Sequence, residues 1–117
     1  MAELIREGND LVLVLSKKEQ VFALNRTQRA PISKFKSVSA HEDLWARGIL
    51  KGLRMPGTGL PYKVLYGTMR YPGGKDFTAI YGRGPGFVMT FDGLPFKRWI
   101  FTSDLSESGM NLILENS

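Results

Sequence analysis

Cysteine is absent from all 117 residues, so neither a disulfide framework nor a thiolate metal site can form. The expected setting is a reducing, cytoplasmic one. Histidine occurs once, as His41. A metal site built on it would have to recruit carboxylates, yet Glu42 and Asp43 follow it directly instead of at helical spacing, and His41 reads as a surface residue. Long apolar runs are missing too. The longest aliphatic stretch, Leu11–Leu15, falls far short of the roughly 20 residues that span a bilayer, and no transmembrane segment is expected. The opening residues, Met1-Ala2-Glu3-Leu4-Ile5-Arg6-Glu7, carry acids where a secretory signal would carry bases and then an apolar run.

Catalytic signatures are equally scarce. No serine stands in a Gly-x-Ser-x-Gly context, so nothing favours a serine–histidine–aspartate relay. Within the loop-and-strand stretch that precedes the closing helix the acids are Asp76 and Asp92, both beside turn glycines where aspartate has a structural role. Gly82-Arg83-Gly84-Pro85-Gly86 looks like a phosphate-binding loop, but such loops open a helix, and Phe87–Phe91 reads as a strand. Gly74-Lys75 is followed by Asp76 where a P-loop needs Ser or Thr for magnesium. No catalytic, cofactor-binding or metal-binding residue is assigned, and the chain does not read as an enzyme.

What is present is a core and an uneven charge. The sequence is 43% hydrophobic and 11% aromatic, which suits one globular domain of ordinary size. Its formal net charge is +5. Residues 17–98 hold fifteen Lys/Arg against five Asp/Glu, while both ends are acidic. A basic body attracts polyanions or acidic protein surfaces, although mixed solubilising charge is the commoner reason for such counts.

Thirteen glycines and six prolines punctuate the chain as a succession of strands and turns. Leu4–Glu7 and Asp10–Ser16 read as a hairpin across Gly8-Asn9. Ser16-Lys17-Lys18-Glu19 matches a capping box and predicts a short helix over Lys17–Leu24. A turn at Pro31–Lys34 precedes a strand over Phe35–Ala40, and Trp45–Leu50 stays ambiguous. Gly52–Pro61 is rich enough in Gly and Pro to predict a long surface loop. Lys63–Tyr71, Asp76–Gly82, Gly86–Phe91 and Pro95–Thr102 have strand composition. Their links, Gly73-Gly74, Arg83-Gly84-Pro85 and Asp92-Gly93-Leu94, predict a four-strand meander joined by hairpins. Asp104, with Glu107 three residues on, predicts the start of a closing helix. Its stripe of Leu105, Gly109, Leu112 and Ile113 would plug the open end of a bent sheet.

This order of elements, together with Leu53-Arg54-Met55-Pro56-Gly57-Thr58-Gly59, Gly67-Thr68, Gly73-Gly74-Lys75-Asp76-Phe77 and Asp92-Gly93-Leu94-Pro95-Phe96, resembles a pleckstrin-homology-like (PH-like) fold. More narrowly it resembles the small single-domain PH-like proteins of unknown function found in Gram-positive bacteria. The resemblance implies a mainly β PH-like barrel or sandwich over residues 1–117, with about seven antiparallel strands in two near-orthogonal sheets capped by one C-terminal α-helix. It implies binding or scaffolding of a protein or an anionic ligand, without catalysis. Some eukaryotic members bind phosphoinositides through cations on the first hairpin, but here that turn is Glu7-Gly8-Asn9-Asp10, so no lipid-binding residues carry over. The expected partner surface is the Gly52–Pro61 loop, the Gly73–Asp76 turn and the cations Lys51, Arg54, Lys63, Arg70, Lys75 and Arg83.

Interleaving of Tyr66, Tyr71, Phe77, Tyr81, Phe87, Phe91 and Trp99 with Lys63, Arg70, Lys75, Arg83, Lys97 and Arg98 raises the alternative of a small β-barrel that stacks single-stranded nucleic acid. Period-two alternation favours the opposite arrangement, aromatics inward and cations outward.

Overall fold

The computed structural model describes every residue except 1, 24–25, 47–48, 51–52, 61–62 and 116–117, and for 53–58 and 60 the backbone alone. β1 (Glu3–Glu7) and β2 (Asp10–Val14) form the expected hairpin, with Glu7 opposite Asp10. The capping box closes in both directions. The Ser16 amide donates to Glu19 Oε1 at 3.0 Å and the Glu19 amide to Ser16 Oγ at 3.1 Å, opening α1 (Lys17–Ala23). β3 (Gln28–Pro31) then returns along β2 and completes a three-stranded antiparallel sheet. The predicted turn therefore begins one residue late: Pro31 ends this strand, and a 3-10 turn over Ile32–Lys34 leads into β4 (Phe35–His41).

The remaining strands are β5 (Leu53–Leu60), β6 (Val64–Tyr71), β7 (Gly74–Tyr81), β8 (Gly86–Phe91) and β9 (Arg98–Thr102). With β4 they build a six-stranded sheet in the order β4-β8-β9-β7-β6-β5. The chain is thus mainly β, with nine described strands in two sheets. No strand pairs across the two sheets among the described residues, so they do not close into a barrel.

Two expectations are overturned here. Gly52–Pro61 is not a loop: its described part is an edge strand antiparallel to β6. Pro56 is tolerated because the register shifts between Arg54 and Gly57, and a bulge on an edge strand asks for no ladder bond from proline. The four-strand meander is also absent. β9 inserts between β7 and β8, antiparallel to β8 but parallel to β7. The Arg83-Gly84-Pro85 link is therefore no hairpin but a bridge over one strand end, held where the Ser103 amide donates to the Pro85 carbonyl at 3.1 Å. It spans two strand spacings, about 10 Å, within reach of so short a link. The β6–β7 connection is a tight hairpin as expected, with Tyr71 opposite Gly74. Pro72 and Gly73, the latter at φ +97°, have the composition of a type II turn.

Both faces of the six-stranded sheet are covered. On one, Tyr66, Phe77, Ala79, Phe87, Met89, Phe91, Trp99 and Phe101 join Leu11 and Leu13 of the small sheet in the main core. On the other, Leu65, Met69, Ile80, Val88 and Ile100 are capped by Leu44, Trp45, Ile49 and Leu50 from the connection between β4 and β5. That strap is fixed from the sheet: Trp45 Nε1 donates to the Gly82 carbonyl at 3.0 Å, and Arg98 Nη2 donates to the Ile49 carbonyl at 3.0 Å. β9, sequence Arg-Trp-Ile-Phe-Thr, is apolar on both faces because both faces are buried.

The closing helix, α2 (Glu107–Glu115), begins later than predicted. Ser106 caps it through Oγ, which accepts from the Gly109 amide at 3.0 Å, while Asp104 lies before the helix. Met110, at 1% exposure, is the side chain that docks it. Leu105, Ile113 and Leu114 pack partly buried around the same core, and Leu112 of the predicted stripe is instead 69% exposed. Arg6 secures the far end by donating to the carbonyls of Ile113 and Leu114, a cation at a helix C-terminus where the free carbonyls need one. No helix among the described residues is long and apolar enough to cross a membrane.

Candidate functional site

The six nominated cations do not form one patch. Lys51 lies outside the described residues, as does the side chain of Arg54. Arg70 and Lys75 face each other directly across the β6–β7 hairpin. Lys63 and Arg83 flank the opposite ends of the same two strands, about 25 Å away at roughly 3.3 Å per residue. Arg83 is moreover matched: its Nε donates to Asp43 Oδ2 at 2.9 Å. The amide of Trp45, and then this guanidinium, hold the Asp43 carboxyl below its ordinary value.

A third cation, not among the nominated six, joins the first pair. The Lys97 amide donates to the Lys75 carbonyl at 2.8 Å, and the Lys97 stem lies so close over Gly74 that a Cβ there would come within 2.7 Å of it. Only the return of β9 beside β7 brings Lys97 to this hairpin, and the interleaved sequence pattern holds no sign of that. Lys75 is itself steadied, its ammonium 4.8 Å from the centre of the Phe96 ring, which packs edge-on to Phe77. Among the described residues no carboxylate is ion-paired with Arg70, Lys75 or Lys97.

The acid nearest to them in sequence is withdrawn. Asp76 is fully buried. It accepts from Tyr71 Oη at 2.7 Å and from Arg98 at 2.9 Å (Nε) and 2.6 Å (Nη2). Burial first, and then this bond to Asp76, push the Tyr71 phenol up to about 12. The trio belongs to the strap face of the sheet, because residues 76 and 98 alternate with the core-facing Phe77 and Trp99. The hairpin end therefore shows positive charge outward and keeps its acid inside.

The aromatics settle on the inward side. Tyr66, Phe77, Phe87, Phe91 and Trp99 are all buried, and Tyr81 is the exposed member of the set at 60%. Burial, and then the neighbouring Glu19 carboxylate, push the Tyr66 phenol above its ordinary value. These rings pack within the core, as Phe91 does against Trp99 with centroids 4.5 Å apart and planes tilted by 55°, and offer no exposed ladder for bases.

His41 sits on the edge strand β4, where Nε2 lies 2.9 Å from Ser39 Oγ. The two are i and i+2 neighbours on one strand face. No carboxylate is bonded to the other ring nitrogen among the described residues, so the contact lacks the third group that orients a catalytic base. No group of three or more metal-ligating side chains occurs among the described residues. Beside His41 a cleft of about 220 Å³ opens between β4 and the start of α2, with Glu42, Ser103 and Glu107 on its walls. No protein-family model, curated protein or solved structure matches the chain.

Proposed function

We propose that this chain is a non-catalytic binding module of PH-like type that docks an acidic protein segment at the β6–β7 hairpin end. One observation carries the reading. Arg70, Lys75 and Lys97 converge on the Pro72-Gly73 turn, while Asp76 beside them is buried and committed to Arg98 and Tyr71. Like charges directly opposite on neighbouring strands repel, and a bound anion removes that cost. Two packed sheets and a C-terminal helix support the PH-like reading, while nine described strands in place of about seven, and a parallel β7–β9 pair, depart from the form it implies.

Fluorescence anisotropy with a labelled Glu-rich peptide tests this. Arg70→Ala, Lys75→Ala and Lys97→Ala each weaken binding, and added salt weakens it further, since exposed charges are screened within about 10 Å at 0.1 M. Lys63→Ala, at the far end of the sheet, leaves affinity unchanged. An equal loss with Lys63→Ala means diffuse charge and refutes the site. A labelled single-stranded oligonucleotide, run in parallel, examines the nucleic-acid alternative. Tighter binding to it than to the peptide overturns the preference for protein, although burial of the aromatics leaves that reading with phosphate contacts alone.

A further inference from the structure

The two edges of the six-stranded sheet are finished differently. β5 carries Pro56 and a register shift, two devices that stop a foreign strand from pairing. β4 has its irregularity at the beginning, between Phe35 and Ser37. From Ser37 to His41 it then runs in unbroken register with Thr90 to Gly86 of β8, with no proline, no charged side chain and no bulge. Alternate residues of an antiparallel edge strand turn their N–H and C=O groups outward. No bond to those outer groups of Ser37–His41 occurs among the described residues.

Alongside this edge runs a groove. Val38, Phe87 and Met110 make its apolar floor, and Glu107 of α2 stands on its rim. It continues past Ala40 into the cleft of about 220 Å³ walled by Glu42. Among the described residues neither Glu42 nor Glu107 has an ion-pair partner. In a chain of net charge +5, this groove has an acidic rim.

We infer that the outer edge of β4 and the groove beside α2 form a second docking site, which takes an extended, Lys- or Arg-bearing segment of a partner protein as an added strand. Main-chain bonds to β4 supply a sequence-independent grip, and alternate side chains supply selectivity. An added strand lies about 4.8 Å beyond β4. Every second side chain then drops toward Val38 and Met110, and long basic side chains at the ends reach Glu107 and Glu42. The charge preference is opposite to that of the hairpin end, so the two sites take different partners.

The test uses the whole chain and two strand-forming probes, a Lys-Val repeat peptide and a Glu-Val repeat peptide. The Lys-Val peptide binds, and native-state hydrogen exchange shows the amides of Ser37–His41 slowed in the complex. Glu42→Lys/Glu107→Lys, both at exposed positions, weakens the Lys-Val peptide about tenfold and strengthens the Glu-Val peptide, a swap that misfolding cannot produce. Glu-Val peptide held at the hairpin end leaves these amides unprotected. Unchanged exchange over Ser37–His41 with the Lys-Val peptide, equal slowing of those amides by the two peptides with the unaltered chain, or no swap of that slowing in the double variant overturns the inference. So does a concentration-dependent dimer of the chain alone that the Lys-Val peptide disrupts, because a second copy is then the occupant.

Discussion

Arg98→Met is the most informative single perturbation. It removes the guanidinium that meets Asp76 through two nitrogens, at 2.9 and 2.6 Å, and leaves a fully buried carboxylate with Tyr71 Oη at 2.7 Å as its remaining partner among the described residues. It also strips the Ile49 carbonyl of its donor. Breaking one side of a buried ion pair costs about 3–5 kcal/mol, a large fraction of the roughly 5–15 kcal/mol that holds a domain folded. At about 2.1 cal/mol/K per residue, 117 residues unfold with an entropy near 0.25 kcal/mol/K, so Tm falls by about 12–20 °C. Asp76→Leu, which leaves the guanidinium unmatched, costs a similar amount. In Asp76→Leu/Arg98→Met both charges are gone, and what remains is the Tyr71 hydroxyl without Asp76 and the Ile49 carbonyl without Arg98, about 1–3 kcal/mol each if left dry. Urea denaturation followed by the fluorescence of the buried Trp99 gives all three values. The double variant is expected to cost at least 2 kcal/mol less than the sum of the singles, a margin typical of about the upper range for coupled sites. Additivity within about 0.5 kcal/mol, or a single-variant cost below 1 kcal/mol, refutes the reasoning that the pair is desolvated and mutually dependent.

Gly86→Ala places a Cβ within 2.3 Å of the Phe101 carbonyl oxygen and 2.5 Å of Leu44 Cδ1. The central strand cannot retreat, and thermal melts should show a loss of about 3 kcal/mol or more. Gly74→Ala meets only the flexible Lys97 stem and should cost under about 1 kcal/mol. Met110→Ala leaves a cavity under α2 and costs about 2–5 kcal/mol, with faster amide exchange along the helix. Leu112→Ala changes stability by no more than about 0.5 kcal/mol, and a larger effect would return Leu112 to the docking face. Tyr71 keeps its proton in the folded state up to about 12, whereas the unfolded chain releases it near 10. Its contribution is complete below pH 10 and is lost as pH rises from 10 toward 12, because the unfolded state then binds fewer protons. Tyr71→Phe should flatten that alkaline decline in a plot of Tm against pH.

Local chemistry was legible wherever a few neighbouring residues decide the backbone. The Ser16–Glu19 box closes between residues three apart. The Gly8-Asn9 turn needs only its own φ preferences, and the β6–β7 turn was legible one residue late, at Gly73-Gly74 in place of Pro72-Gly73. Burial of Tyr66, Phe77, Phe87, Phe91 and Trp99 followed from period-two alternation along each strand. The closing helix was visible, but its docking residue was misassigned. Choosing Asp104 as the cap began the expected helix too early and put Leu112 on the inner face. With Ser106 as cap, Met110 turns inward instead.

The candidate site was half legible for a related reason. Arg70 and Lys75 were nominated together, and a hairpin of two turn residues forces them to meet. Lys97 was overlooked because it reaches the same turn from another connection, through a parallel pairing. Arg83 was overvalued because Asp43, its neutralising partner, is forty residues away along the chain.

Amino-acid order alone determined the β-rich class, the hairpins between β1 and β2, β6 and β7, and β8 and β9, the capped first helix and the inward set of aromatics, since each depends on contacts within a few residues or on the two-residue repeat of a strand. The tertiary structure decided the insertion of β9 between β7 and β8, the pairing of β5 as an edge, the strap over the second face and the sorting of charges into buried, matched and free. Those outcomes depend on pairings between distant segments, and many strand orders can satisfy the same alternation. Burial on both faces, reached only when the whole sheet assembles, is what selects among them.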